Sequence, residues 1–215
     1  MSEEKVVFHC SPTLAGIKTG NLFSVSFGSR EDFYASLRRI NTSLVPKGVR
    51  MVPIRMTKDR ALLYVYRPDA LKKDLERGKA RGFLEGLGYP VENINRCIGE
   101  LSRRVRSCEE FPHEVGLFLG YPPEDVMGFI SSGAKDAKYV GTWKVYSDVE
   151  SAKKRFALYE KCTRLYKQAY CRDRCFERLV VKPREIKNLN KALPKRATGR
   201  CNGQKIPYSL QQKKG

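Results

Sequence analysis

The chain has 215 residues, 41% of them hydrophobic, which is enough to bury a sizeable core. Its net charge of +19 is unevenly placed, since residues 1–150 hold 23 Lys/Arg against 19 acids and residues 151–215 hold 19 against 4. No apolar run approaches the length of a membrane span, and the acidic start does not fit a secretory signal. Seven cysteines in such a chain are typical of reduced thiols, so we expect a cytoplasmic protein.

The first third of the chain predicts strands and one helix. Lys5–Phe8 predicts a strand, and the segment behind it predicts a loop because it contains Pro12 and Gly16. The apolar spacing and turn residues further on predict a short strand or helix approach at 21–27, a helix at about 31–43, and a hairpin of Arg50–Met56 with Ala61–Tyr66.

Helices and one buried strand are predicted for the middle of the chain. Val115–Leu119 is a continuous apolar run, which favours a short buried strand. Gly120-Tyr121-Pro122 then turns the chain, and a Pro followed by two acids opens a helix that Gly133 ends. Three further helices are predicted at about 68–75, 78–87 and 93–108.

The last third predicts a strand within Tyr139–Tyr146, a capping box at 147–150, and a long helix to about Tyr170. From Val181 the chain holds ten Lys/Arg and one acid among scattered prolines, which predicts a flexible basic tail. The order of elements favours an α+β (mixed α/β) fold over residues 1–180. It would contain one small, mostly antiparallel or mixed sheet covered by several helices, with the long helix preceding the tail at 181–215.

Four motifs occur in order along the chain: HCSPTLAG at 9–16, LLYVYR at 62–67, HEVGLFLGYPPEDV at 113–126 and WKVY at 143–146. With these motifs the chain resembles a bacterial family known only as a domain of unknown function, over roughly residues 5–170. The resemblance implies a cytosolic bacterial protein and supplies no catalytic residues. The basic tail lies outside it.

His9 and Cys10 are the first candidate site residues. A cysteine behind a predicted strand, at the head of a loop, is where thiol enzymes place a nucleophile. The phosphatase pattern C-x5-R does not fit, because Gly16 stands where the arginine would be. The alternative is a buried cysteine beside a hydrogen-bonded histidine.

His113 and Glu114 are the second candidate pair. H-E-x-x-H is excluded by Leu117, but the pair could supply a metal ligand or a base whose imidazole an acid orients. The alternative is a polar pair that satisfies local backbone groups. If this pair met His9 and Cys10, the four residues would suit a transition metal or a thiol–imidazole site. That meeting requires their two predicted strands to be antiparallel neighbours, since parallel strands would separate the pairs by about 15 Å.

The basic C-terminal region carries the third candidate function. Its net charge would attract RNA or DNA phosphates non-specifically, although no known nucleic-acid motif is present. The alternative is a solvated helix face. The candidate contacts are Lys153, Lys154, Arg164, Lys167, Arg172 and Arg174.

The sequence therefore favours a small thiol-dependent or metal-binding enzyme, with a pocket of His9, Cys10, His113 and Glu114 and with a transition metal as the candidate cofactor. The alternative is a nucleic-acid-associated protein that acts through the basic helix and tail. We expect no membrane partner.

Overall fold

The computed structural model of the chain describes residues 1–76, 78–107, 110–133 and 135–182, so most of the basic tail lies outside the described residues. The described elements are, in chain order, α1 (Glu3–Leu14), β1 (Gly20–Ser26), α2 (Arg30–Leu44), β2 (Arg50–Met56), β3 (Arg60–Tyr66), α3 (Pro68–Leu75), α4 (Gly78–Gly86), α5 (Ile94–Ser107), α6 (Val115–Phe118), α7 (Pro123–Ser132), β4 (Tyr139–Val140), β5 (Lys144–Val145) and α8 (Val149–Asp173). None of these helices is long and apolar enough to cross a bilayer.

The central sheet has three antiparallel strands in the order β1-β3-β2. β2 and β3 form the predicted hairpin, with Arg50 opposite Tyr66 and a register shift between Pro53 and Arg55. Short β4 and β5 make a separate antiparallel pair. The α+β fold, with a small antiparallel sheet, several helices and a long helix near the C-terminus, is confirmed.

The two faces of the sheet support two separate hydrophobic cores, because alternate residues of β3 point to opposite sides. Leu63 and Val65 pack into a core with α1, α2 and the C-terminal residues Tyr170 and Phe176. Tyr64 and Tyr66 pack into a second core built from α3 to α7. We call these the first core and the second core.

The predicted strand at Lys5–Phe8 is wrong, because this segment lies inside α1. The Ser2 side chain accepts a hydrogen bond from the Lys5 backbone, and Glu3 and Glu4 favour the first helical turn. Val-Val-Phe has strand propensity, but Val6, Val7, Cys10 and Leu14 all bury the same side of a helix against the first core. The helix also includes Pro12, so the predicted loop begins later than expected.

The predicted strand at Val115–Leu119 is also wrong, because it is the single helical turn α6. A short apolar run fits a buried helix as well as a buried strand, and packing within the second core favours the helix here. The strand predicted within Tyr139–Tyr146 is instead the two short strands β4 and β5. The other predicted helices are confirmed, and α8 runs slightly beyond the expected end at Tyr170.

Candidate functional site

Cys10 lies in the first core with none of its surface exposed. Burial raises the pKa of its thiol, and the nearby Lys18 ammonium offsets only part of that effect. Because the thiolate is the reactive form, this environment disfavours a nucleophile. His9 lies on the exposed side of α1, where its ring stacks on Phe23 with 5.0 Å between ring centroids. Partial desolvation, followed by Lys167 and Lys5, lowers the pKa of His9.

His113 and Glu114 have separate surroundings. His113 is exposed and meets the Phe129 ring edge-on at 4.7 Å. Glu114 is buried, accepts a 2.9 Å hydrogen bond from the Tyr89 hydroxyl, and lies 3.6 Å from an Arg104 nitrogen. These contacts satisfy the carboxylate with two side chains rather than with the local backbone groups of the alternative interpretation.

The structure does not bring the two predicted pairs together. Cys10 belongs to the first core, whereas Glu114 binds Tyr89 of the second core, on the opposite face of the sheet. The strand-end argument for their meeting fails as well, because both predicted strands are helices. Within the described ranges no three His, Cys, Asp or Glu residues are grouped so that they could hold a metal ion.

The basic residues predicted to contact nucleic acid lie along α8 and at its end. Three of them form ion pairs: Lys153 with Glu150, Arg172 with Asp173, and Arg174 with Glu4 at the start of α1. Lys167 lies over the Phe8 ring, and Lys154 and Arg164 are exposed. The described part of α8 therefore has a partly neutralised surface.

A cleft opens away from the predicted site residues. It lies between four parts of the chain: the loop that follows α1, the end of α3, the turn that follows α6 and the start of α8. It consists of two adjoining cavities of about 280 and 330 Å³ that share Asp74, Gly120 and Arg155 in their linings. Lys18 and Tyr159 line the larger cavity, so we call the pair of cavities the Lys18 cleft.

Lys18 is a buried cation without a carboxylate partner. Only 6% of its surface is exposed, yet its ammonium makes no hydrogen bond or ion pair with any described residue. Every fully buried polar side-chain atom of the described residues has a hydrogen-bond partner, so the Lys18 nitrogen is one that solvent reaches through the cleft. Burial lowers the pKa of Lys18 from 10.5 to about 8.

The backbone around Lys18 is held on both sides. The Pro12 carbonyl at the end of α1 accepts hydrogen bonds from Ile17 N–H at 3.0 Å and Lys18 N–H at 3.1 Å. The next residue, Thr19, accepts a backbone bond from Arg67 and donates its hydroxyl to Asp74. Lys18 is therefore positioned by two elements rather than carried on a free loop.

Two aromatic rings face the Lys18 ammonium, Tyr121 at 5.3 Å and Tyr159 at 6.0 Å from nitrogen to ring centroid. Burial raises the pKa of Tyr121 to about 12, so both the ring and its hydroxyl are neutral near pH 7. Tyr121 stacks on Trp143, whose indole N–H donates to buried Asp125 at 2.7 Å. Cation–π contact replaces part of the lost hydration but supplies no negative charge.

Asp125 braces this aromatic wall. Burial acts to raise the pKa of its carboxyl, but hydrogen bonds from Tyr146, Ser147 and Trp143 outweigh burial and leave the pKa lowered. One carboxylate thereby ties the start of α7 to β5 and to the approach to α8.

Gly120 closes the cleft at the turn behind α6. Its φ of +77° is a left-handed conformation that favours glycine. A Cβ at this position would lie 2.7 Å from the Thr19 hydroxyl oxygen, so a side chain would also displace the Thr19–Asp74 contact.

Sequence reasoning missed Lys18, Asp74 and Arg155. Lys18 lies two residues after the HCSPTLAG motif, and Gly120 and Tyr121 belong to the third motif, so the loop that follows the first motif meets the third motif at the cleft. That adjacency was the available signal. Lysine is almost never buried, so its burial here had no sequence signature.

A family described as "Protein of unknown function (DUF3793)" matches residues 6–180 of the chain. Neither the curated proteins nor the solved structures give a match.

Proposed function

Because the chain belongs to that family, whose description assigns no activity, we propose its function from the cleft: it binds a small anion, a carboxylate or a phosphate, between Lys18 and Arg155. The observation that supports this proposal is the buried Lys18 ammonium without a carboxylate partner among the described residues. An uncompensated buried charge costs stability, and residues that carry such a cost are typical of functional sites.

Arg155 gives the cleft a second cation. It is an exposed residue of α8 that lines both cavities, and no described carboxylate forms an ion pair with it. Its planar guanidinium offers two parallel N–H donors to a carboxylate or phosphate, whereas Lys18 offers a point charge. An anion between them would give Lys18 the counter-charge that the described residues lack.

Asp74 limits the kind of anion. Its carboxylate lines both cavities, so negative charge on the side of the ligand that faces Asp74 would meet repulsion. The larger cavity, about 330 Å³, has room for a molecule of several heavy atoms. The cleft therefore suits a small ligand with one anionic end and a polar, uncharged end.

A titration of the full chain at constant ionic strength tests the proposal. Inorganic phosphate and acetate serve as separate probes, and amide NMR shifts of Lys18, Thr19 and Gly120 are the readout. Lys18→Met and Arg155→Gln are expected to weaken binding about tenfold or more, as for a charge-assisted hydrogen bond of about 1.5–3 kcal/mol.

Two matched variants serve as controls. Lys58→Met removes an exposed lysine of the β2–β3 turn, and Arg164→Gln removes an exposed arginine of α8. Both are expected to bind the probes as the wild type does. If Lys18→Met bound as tightly as Lys58→Met, the anion would be adventitious and the proposal would fail. The stronger probe decides between carboxylate and phosphate.

The thiol or metal pocket of His9, Cys10, His113 and Glu114 stays a prediction, which the separation of the two pairs does not favour. Per-cysteine alkylation followed by mass spectrometry tests its thiol part. We expect native Cys10 to react slower than exposed Cys171 by on the order of a hundredfold or more, because reaction requires opening of the first core. Comparable rates would restore Cys10 as a candidate nucleophile.

A further inference from the structure

We propose that Lys18 is a nucleophilic amine that forms an imine with a small aldehyde or 2-oxo acid whose carboxylate Arg155 holds. The inference rests on the proposed function, because it uses the same cleft and assigns a role to the uncharged end of the ligand. It adds a covalent step that anion binding alone does not require.

The surroundings of Lys18 favour its neutral form. Only 6% of the Lys18 surface is exposed, no described carboxylate pairs with the ammonium, and the cation–π contacts with Tyr121 and Tyr159 replace only part of the lost hydration. A lysine desolvated beside aromatic walls is an arrangement that activates amines toward carbonyl groups. The lowered pKa of Lys18 agrees, since it raises the neutral fraction near pH 7 on the order of a hundredfold over an ordinary lysine.

The rest of the cleft matches the other parts of such a ligand. Arg155 supplies the donors for a carboxylate, and Asp74 lies on the same lining. One Asp74 oxygen accepts the Thr19 hydroxyl, and the other accepts no hydrogen bond from the described residues. That second oxygen is available to relay a proton to and from the reacting oxygen.

The reaction balances without an oxidant or reductant. The lone pair of the neutral Lys18 nitrogen forms a bond to the carbonyl carbon, and the carbonyl π electrons move to oxygen, which takes a proton. The nitrogen loses a proton to give the neutral carbinolamine. Its hydroxyl then takes a proton and leaves as water while the nitrogen lone pair forms the C=N bond, and the resulting iminium releases a proton to give the imine. The products are one imine and one water from one amine and one carbonyl.

Reductive trapping tests the inference on the full chain. The protein is incubated near pH 7 with glyoxylate and cyanoborohydride, and the adduct at each lysine is quantified by peptide mass spectrometry. We expect Lys18 to be modified at least about tenfold faster than exposed lysines such as Lys58, because its neutral fraction is larger. Lys18→Arg keeps the charge and removes the amine, so the adduct at this position is expected to vanish while phosphate binding persists.

Acetaldehyde, which has no carboxylate, separates the two roles in the cleft. Wild type is expected to prefer glyoxylate at Lys18, whereas Arg155→Gln is expected to trap both aldehydes equally fast. Arg164→Gln, changed on the same helix, is expected to keep the preference.

The possible failures are distinguishable. Equal modification of Lys18 and Lys58, with phosphate shifts still dependent on Lys18, would overturn the imine and leave anion binding intact. Fast trapping at Lys18 without preference for glyoxylate, and without phosphate shifts, would overturn the carboxylate part of the inference together with the proposed function.

Discussion

Two buried cations lie on either side of Thr19 in the folded chain, and they are treated in opposite ways. Arg67, 3% exposed, donates to the carbonyl oxygens of Thr13 at 2.7 Å, Leu14 at 2.6 Å and Val181 at 2.8 Å. The Lys18 side chain, in a residue that is 6% exposed, donates no hydrogen bond to any described residue. Backbone carbonyls therefore surround the Arg67 guanidinium, whereas the Lys18 side chain lines a cleft.

The difference teaches how to separate a structural cation from a functional one. Burial alone does not do so, since both side chains are buried to a similar degree. What differs is whether the protein itself replaces the lost hydration. A buried donor that the fold satisfies is part of the scaffold, and one that it leaves unsatisfied beside a cavity indicates a ligand.

The largest expected effect comes from Arg67→Met. It leaves the carbonyls of Thr13, Leu14 and Val181 without this donor, so we expect the free energy of unfolding to fall by about 3–5 kcal/mol. Urea denaturation measures the change. Arg60→Met, at the exposed start of β3, is the matched control and is expected to change it by less than about 0.5 kcal/mol. If both variants lost a similarly small free energy of unfolding, Arg67 would not be a structural cation.

Lys18→Met is expected to have the opposite sign and to raise the free energy of unfolding by about 1–3 kcal/mol near pH 7. The folded pKa of Lys18, about 8, lies below its ordinary value of 10.5, so the unfolded chain binds the proton more tightly. The cost of burying the charge is therefore fully present below pH 8.

Above pH 8 the cost declines, because the folded wild type releases this proton first, and it disappears as pH passes 10.5. The stability gap between Lys18→Met and wild type is thus expected to shrink from pH 7 to pH 10 in urea denaturation. A destabilised Lys18→Met, or a gap that grows with pH, would mean that Lys18 is satisfied in the fold as Arg67 is.

A comparison of Gly120→Ala with Gly88→Ala tests whether the wall of the cleft tolerates a side chain at Gly120. Both glycines have positive φ, 77° and 81°, but a Cβ at Gly88 meets nothing within 4 Å, whereas one at Gly120 crowds Thr19. Each variant carries the backbone strain, so the excess loss at Gly120, about 1–2 kcal/mol by thermal or urea unfolding, reports the crowding. Only Gly120→Ala is expected to weaken anion binding; equal behaviour of the two would show that the wall is pliable.

The smallest effect is expected from truncation after Lys182, which keeps the Val181 carbonyl that Arg67 binds. It removes nine Lys/Arg and one acid. Stability and anion affinity are expected to change by less than about 0.5 kcal/mol.

Contact of RNA or DNA with α8 and the tail stays a prediction. The same truncation tests it, since loss of these charges should weaken nucleic-acid binding and flatten its salt dependence. Unchanged RNA binding would contradict it.

The parts of the fold that the sequence predicted correctly are the local ones. The hairpin of β2 and β3 and the helix α2 depend on turn residues, caps and apolar spacing within short stretches. The segments at Lys5–Phe8 and Val115–Leu119 were predicted wrongly because their apolar residues suit either structure, and distant packing decided between them.

The cleft could be predicted less well than the fold. Lys18, Asp74 and Arg155 come from three elements that are far apart in the chain, and none belongs to a motif with known chemistry. Histidine and cysteine attracted attention because they are rare and reactive, but both histidines are exposed and Cys10 packs as a small apolar residue. The better guide to the cleft was the position of Lys18 just after the first motif, because the third motif supplies Gly120 and Tyr121 to the same cleft.

The first core has a consequence for folding during synthesis. It joins α1, near the start of the chain, to Tyr170, Phe176 and Val180, whereas the second core uses residues from the middle of the chain. The ribosome delivers roughly 5–20 residues per second, so the second core can assemble seconds before the first core is complete. During that interval the apolar side of α1 lacks its partner α8 and is open to chaperones or to other nascent chains.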